Sequence, residues 1–140
     1  MSVPGALPAE LSDDLMPYLS QRTVAAGEIL MRQGDPTPGI LLISSGQATV
    51  RLDIADGQSV RLRTLLGGTV LGEISLYRDE PCTATVVTDT VCEILHLTPE
   101  RFGDLCRDDP MVAARLHRFV ARTLAGRVSH ANRTIRALRD

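Results

Sequence analysis

Between residues 27 and 97 the apolar positions recur at every second residue in short runs, which is strand spacing rather than helix spacing. Ala48, Val50, Leu52 and Ile54 alternate with Thr49, Arg51 and Asp53, the pattern of a half-buried strand. Asp56-Gly57 follows as a hairpin signal, and Val60, Leu62 and Thr64 carry the alternation back on the returning strand. Residues 27–31 lead into Gly34-Asp35-Pro36, a turn. Residues 40–43 form a short apolar run closed by Ser44-Ser45-Gly46, and residues 84–87 and 91–97 supply two more strands across Thr88-Asp89. Many short, evenly spaced strands with Gly turns predict a sandwich or barrel.

The ends of the chain change period. Leu11, Leu15 and Leu19 predict a helical segment over residues 8–19, ended or kinked by Pro17. After Leu97 the pattern turns helical again. Thr98-Pro99 and Asp109-Pro110 each set a capping residue before a proline at the first helical position. The second of these helices can run over residues 110–138, about 43 Å at 1.5 Å per residue. Its apolar stripe is Leu116, Val120, Leu124, Val128, Ala131, Ile135 and Leu138, with Gly126 as a weak point. The fold class is therefore mainly β with flanking α. One domain fills residues 1–140: an N-terminal helical segment over 1–20, an antiparallel β-roll or jelly-roll barrel over 21–97, and C-terminal helices over 98–140.

Charge sharpens this division. All 15 basic residues are arginines, and the net charge is −2. Residues 115–139 carry seven arginines and no acid, whereas residues 1–114 carry eight arginines against sixteen acids. An acidic body thus bears a basic tail. The arginines at 115, 118 and 122 share a helical face that a phosphate backbone could use, but aromatic interleaving is missing and nucleic acid is not the expected partner. No apolar run approaches the length of a membrane span, and the N-terminus does not read as a secretory signal. Three cysteines without CxxC spacing (Cys82, Cys92 and Cys106) argue for a reducing compartment, hence a cytoplasmic location. The histidines at 96, 117 and 130 are too scattered for a metal site, and no nucleophile–base pair is legible. No metal, catalytic residue or cofactor is expected.

The chemistry concentrates in residues 70–86, Val-Leu-Gly-Glu-Ile-Ser-Leu-Tyr-Arg-Asp-Glu-Pro-Cys-Thr-Ala-Thr-Val. A glycine at 72 lets backbone approach a ligand closely. A short helical turn starting at Glu73 aims the amides of Ile74 and Ser75 outward, where they have no intrahelical partner and suit an anion. The Glu73 carboxylate beside them suits a sugar hydroxyl. One anion site plus one hydroxyl acceptor describes a nucleoside monophosphate.

Residues 70–76 followed by Pro81-Cys-Thr-Ala-Thr-Val86 resemble the phosphate-binding cassette of cyclic-nucleotide-binding domains. Gly27-Glu-Ile-Leu-Met-Arg-Gln-Gly-Asp35 and Ile43-Ser-Ser-Gly-Gln-Ala-Thr-Val50 resemble that family's earlier strands and turns, so the likeness spans roughly residues 15–125. It implies a β-roll with a short phosphate-binding helix. It also implies that Glu73 accepts from the ribose 2′-hydroxyl, that Gly72, Ile74 and Ser75 offer backbone groups to ribose and phosphate, and that Thr83 and Ala84 lie in contact range. The family's phosphate-pairing arginine falls on Cys82. A hydrogen bond between charged groups contributes about 1.5–3 kcal/mol. Its loss predicts binding weakened roughly 10- to 150-fold, unless Arg78 substitutes.

Two readings follow from the resemblance. One is a non-catalytic regulatory sensor that binds cAMP or cGMP. The other is a degenerate module that keeps the fold for dimerisation or docking and binds no nucleotide. The tail over 119–138 and the run over 62–73 also look similar to regulatory modules of bacterial sulfate-permease-type anion transporters. That likeness implies a membrane-protein partner and a place at the cytoplasmic face of the membrane. The stripe from Leu116 to Leu138 implies a homodimer interface or a docking surface on the C-terminal helix.

Overall fold

The computed structural model describes residues 7–8, 10–11 and 13–139. Two four-stranded antiparallel sheets face each other, one ordered β1-β8-β3-β6 and the other β2-β7-β4-β5. The strands are β1 (Ser20–Val24), β2 (Ile29–Met31), β3 (Ile40–Ser45), β4 (Gln47–Asp53), β5 (Ser59–Leu66), β6 (Thr69–Leu71), β7 (Thr85–Thr88) and β8 (Cys92–Leu97). The helix α1 (Glu73–Arg78) interrupts the strands, and α2 (Pro99–Asp108) and α3 (Pro110–Arg139) follow them. This is the mainly antiparallel β-roll with flanking helices that the alternation predicts. The pattern does not announce β1 or β6: β1 buries one residue of five, and β6 is three residues long.

The run Ile40–Ile43 is apolar throughout because β3 is covered on both faces. Leu41 and Ile43 enter the roll interior with Val50, Leu65, Leu71, Val86 and Ile94. Ile40 and Leu42 turn to a second core, where Leu95, Leu97 and Val70 meet Leu105 of α2 and Leu116 and Val120 of α3. One sheet thus separates two cores, and β8 and β6 alternate between them in the same way. At about 25 cal/mol per Å² of apolar surface, each fully buried Leu or Ile here stabilises the fold by about 1.5–3 kcal/mol.

Thr98 caps α2, its hydroxyl accepting from the Arg101 amide, with Pro99 at the first helical position. The N-terminal segment differs from its prediction. It is a 3-10 helix, Asp13–Tyr18, with Pro17 inside it. Pro17 lacks an amide donor, and the tighter 3-10 turn suits a short stretch next to it. Leu11 and Leu15 are buried as their spacing requires; Ala9 and Ser12 of the predicted span lie outside the described residues. The largest departure is in β5, where Val60 and Leu62 are exposed. The register steps from the Val50–Arg63 pair to the Arg51–Arg61 pair, leaving Leu62 as an extra residue. That bulge breaks the alternation: Arg63 and Leu65 pair with the buried Val50 and Ala48, and Leu62 has no partner on β4.

Candidate functional site

β6 ends at Leu71 against β3, and the chain turns sharply at Gly72 into α1. Gly72 adopts φ 87°, and a Cβ placed there would lie 2.1 Å from the Gly39 carbonyl oxygen. Only glycine makes this turn without strain or collision. The turn carries Glu73 into the interior, where the residue is 2% exposed. α1 closes after six residues at Asp79, in the left-handed conformation, whose amide donates to the Ser75 carbonyl. Ser75 is also buried, and its hydroxyl donates to the Pro81 carbonyl at 3.3 Å. The loop after α1 is tied to the β2–β3 turn: the Cys82 amide donates to Asp35, and the Gly34 amide to Cys82, each at 2.9 Å.

These elements enclose a cleft. Its lining includes Gly72, Glu73, Ile74, Ser75, Thr83 and Ala84, together with Arg63 of β5 and the apolar Met31, Val50, Leu65, Leu71 and Val86. Six of the seven residues singled out from sequence therefore come together. Cys82, the seventh, does not line the cleft. Its side chain lies in the roll core, with Sγ 3.7 Å from the Pro36 carbonyl oxygen, and burial pushes its thiol pKa up.

The Glu73 carboxylate is held from the far side. Arg127 of α3 donates from Nη1 to Glu73 Oε1 and from Nη2 to the Val70 carbonyl, both at 2.8 Å. Glu73 Oε2 is buried and has no hydrogen-bond partner. A buried acceptor left unpaired costs about 1–3 kcal/mol, so this oxygen is where a donor from a ligand gains most. Beyond Arg127, residues 128–138 of α3 are all exposed.

The cyclic nucleotide-binding domain model matches residues 21–109, which include both strands flanking the cleft and the whole of α1. The chain belongs to the cyclic nucleotide-binding domain family. It is similar to the cyclic AMP receptor protein of Thermus thermophilus, 31% identical over 120 residues, or 86% of this chain and 55% of that protein. It is similar to the acetyltransferase Pat of Mycolicibacterium smegmatis, 38% identical over 114 residues, or 74% of this chain and 33% of that protein. The solved structure of the Thermus thermophilus catabolite activator protein superposes with a TM-score of 0.70 at 29% identity, covering 91% of this chain and 60% of that one. The chain spans between a third and about three fifths of the length of these three proteins.

Within this cyclic nucleotide-binding domain, Arg78 does not reach the cleft. It is exposed, pairs with Glu80 at 3.0 Å, and lies outside the cleft lining. The two arginines that do reach the site are Arg127 and Arg63. Neither lies within the motif over residues 70–86. The signal for Arg127 was its place on α3 opposite Glu73, which needs the fold to be seen. The signal for Arg63 was an arginine two residues before the buried Leu65, on the inner face of a strand. No helix of the described chain is long and apolar enough to cross a membrane.

Proposed function

We propose that this domain is a regulatory module that binds a cyclic nucleotide in the cleft at Gly72–Ser75 and passes the event to α3. The observation that carries the reading is the unpartnered Glu73 Oε2, buried and lining the cleft. A ribose 2′-hydroxyl is a donor of the right kind to pair with it, and the other carboxylate oxygen stays on Arg127. The apolar wall of Met31, Val50, Leu65 and Val86 suits a base or sugar face. A relative named as a cyclic AMP receptor protein makes cAMP the first ligand to try, with cGMP beside it. Affinity is below that of family members that carry the arginine at the Cys82 position. The module acts by binding, not by catalysis.

The output element is α3. It carries Arg127 to the site and extends beyond it with Val128 60%, Ile135 58% and Leu138 82% exposed. Self-association of moderate strength through this stripe fits its spacing and the like charges of Arg133 and Arg136 beside it. Docking to a membrane transporter, at the cytoplasmic face, would use the same stripe. The contrasting reading is a degenerate domain that binds no nucleotide and keeps only this surface.

Calorimetric titration of the chain with cAMP and with cGMP separates the two. Saturable heat with either nucleotide, weakened at least about tenfold in Glu73→Ala, supports the sensor. No heat from either nucleotide at millimolar concentration leaves the degenerate reading.

A further inference from the structure

The cleft carries more positive charge than its own residues neutralise. Arg63 pairs in register with Val50, which is 5% exposed, and stands two residues before Leu65, 4% exposed, on the inward side of β5. Inward positions of a half-covered strand are ordinarily apolar, whereas Arg63 lines the cleft and stays open to solvent. The bulge at Leu62 shifts the alternation of β5 by one residue, so that Arg63, paired with Val50, shares a face with Val60, paired with Leu52.

Nothing among the described residues forms an ion pair with Arg63. The nearest carboxylate, Glu73, is already held by Arg127. Burial and repulsion from Arg127 lower the pKa of Arg63, against a smaller attraction from Glu73. Two guanidinium groups and one carboxylate leave a net charge of one positive unit in the site. Of the other cations on nearby strands and loops, Arg51 and Arg78 are each paired with an acid, Asp53 and Glu80, Arg61 donates to the Thr64 hydroxyl, and neither these nor Arg32 line the cleft as Arg63 does.

We propose that Arg63 is the cation that receives the ligand's phosphate, replacing from β5 the arginine absent at position 82. The proposal rests on the cleft being a cyclic-nucleotide site. A cyclic phosphodiester carries one negative charge, which brings the site to neutrality. A guanidinium on a strand offers a planar fork to two phosphate oxygens. The family position is then vacated by Cys82, which packs in the core instead, and the charge enters from the opposite wall.

The test is calorimetry on the full chain with cAMP and with adenosine, which shares base and sugar but lacks the phosphate. Wild type, Arg63→Gln, Arg63→Lys and Arg78→Gln are compared, with circular dichroism confirming that each is folded. Arg63→Gln is expected to weaken cAMP at least about tenfold and to leave adenosine within about twofold. Its remaining cAMP affinity should depend less on salt. Arg63→Lys should recover part of the loss, and Arg78→Gln should match wild type. Arg63→Gln within twofold of a wild type that binds cAMP overturns the proposal and leaves the cleft reading standing. An equal loss for adenosine and cAMP also overturns it, because Arg63 would then read base or sugar. A wild type that binds neither cAMP nor cGMP removes the cleft reading itself, and this proposal with it.

Discussion

Arg127 fastens the middle of α3 to the cleft, and removing its charge tests how firmly. Arg127→Gln deletes the 2.8 Å pair to Glu73 Oε1 and the 2.8 Å bond to the Val70 carbonyl. Glu73, 2% exposed and with Oε2 already unpaired, is then a buried carboxylate with no cation. Removing one partner of a buried pair costs about 3–5 kcal/mol. The Arg127 side chain is 24% exposed, so water reaches part of the pair and the cost falls at or below the lower end of that range. A loss of about 2–3 kcal/mol is expected, since charged hydrogen bonds contribute about 1.5–3 kcal/mol each but share one desolvation. At roughly 3–4 °C per kcal/mol for a chain of this size, the Tm should fall by roughly 6–12 °C. Thermal unfolding followed by circular dichroism measures the shift, and urea unfolding measures the free energy. The same assay on Glu73→Gln and on the double variant closes a cycle whose coupling should be at least about 1 kcal/mol. Single-variant losses under about 0.5 kcal/mol, or strict additivity, would refute the pairing as a structural tie.

Gly72→Ala should destabilise the fold by at least about 2 kcal/mol, because it forces a side chain into a left-handed turn and against the Gly39 carbonyl; denaturation by urea reads it. Ile135→Asp with Leu138→Asp should leave stability within about 0.5 kcal/mol, as both side chains are exposed, while shifting sedimentation towards monomer. A wild type that sediments as monomer at high micromolar concentration would instead remove the dimer. The hydrogen bond from Thr85 at 2.6 Å, and then Arg51, holds the Asp53 carboxyl below its usual range against the opposing effect of burial. A depressed folded-state pKa contributes stability that is complete above the unfolded value of about 3.9 and is lost as pH falls through the folded value. Asp53→Asn should therefore flatten the acid limb of stability below about pH 4, and an unchanged limb would contradict the assignment.

The β-roll was legible because the strands that bury one face keep period two, and because Gly and Asp-Gly turns punctuate them. β3 and β8 also showed, for a different reason: sheets covered on both sides read as apolar runs. β1 and β6 were hidden, being short or mostly exposed, and the 3-10 turn at Asp13–Tyr18 read as an ordinary helix with a proline in it. In the site, the residues that are contiguous in sequence were found together, since one turn and one loop carry Gly72 to Ser75, Thr83 and Ala84. Arg127 lies 54 residues from Glu73, and no local pattern relates them. Arg63 was masked by a bulge, because one extra residue inverts which side of β5 points inward. Cys82 occupied the expected place in the motif, yet its backbone bonds to Asp35 and Gly34 settle it in a loop whose side chain packs into the core.

The central claim is that Glu73 Oε2 accepts a ribose hydroxyl, and one thermodynamic cycle addresses that bond alone. cAMP and 2′-deoxy-cAMP are titrated by calorimetry into wild type and into Glu73→Ala, with folding of the variant confirmed by circular dichroism. Wild type should favour cAMP over the deoxy analogue by roughly tenfold or more, the contribution of one hydrogen bond to a charged acceptor. In Glu73→Ala that preference should disappear, with both ligands bound at the weaker level. Equal affinity of wild type for the two ligands, or a preference that survives in Glu73→Ala, would contradict the account.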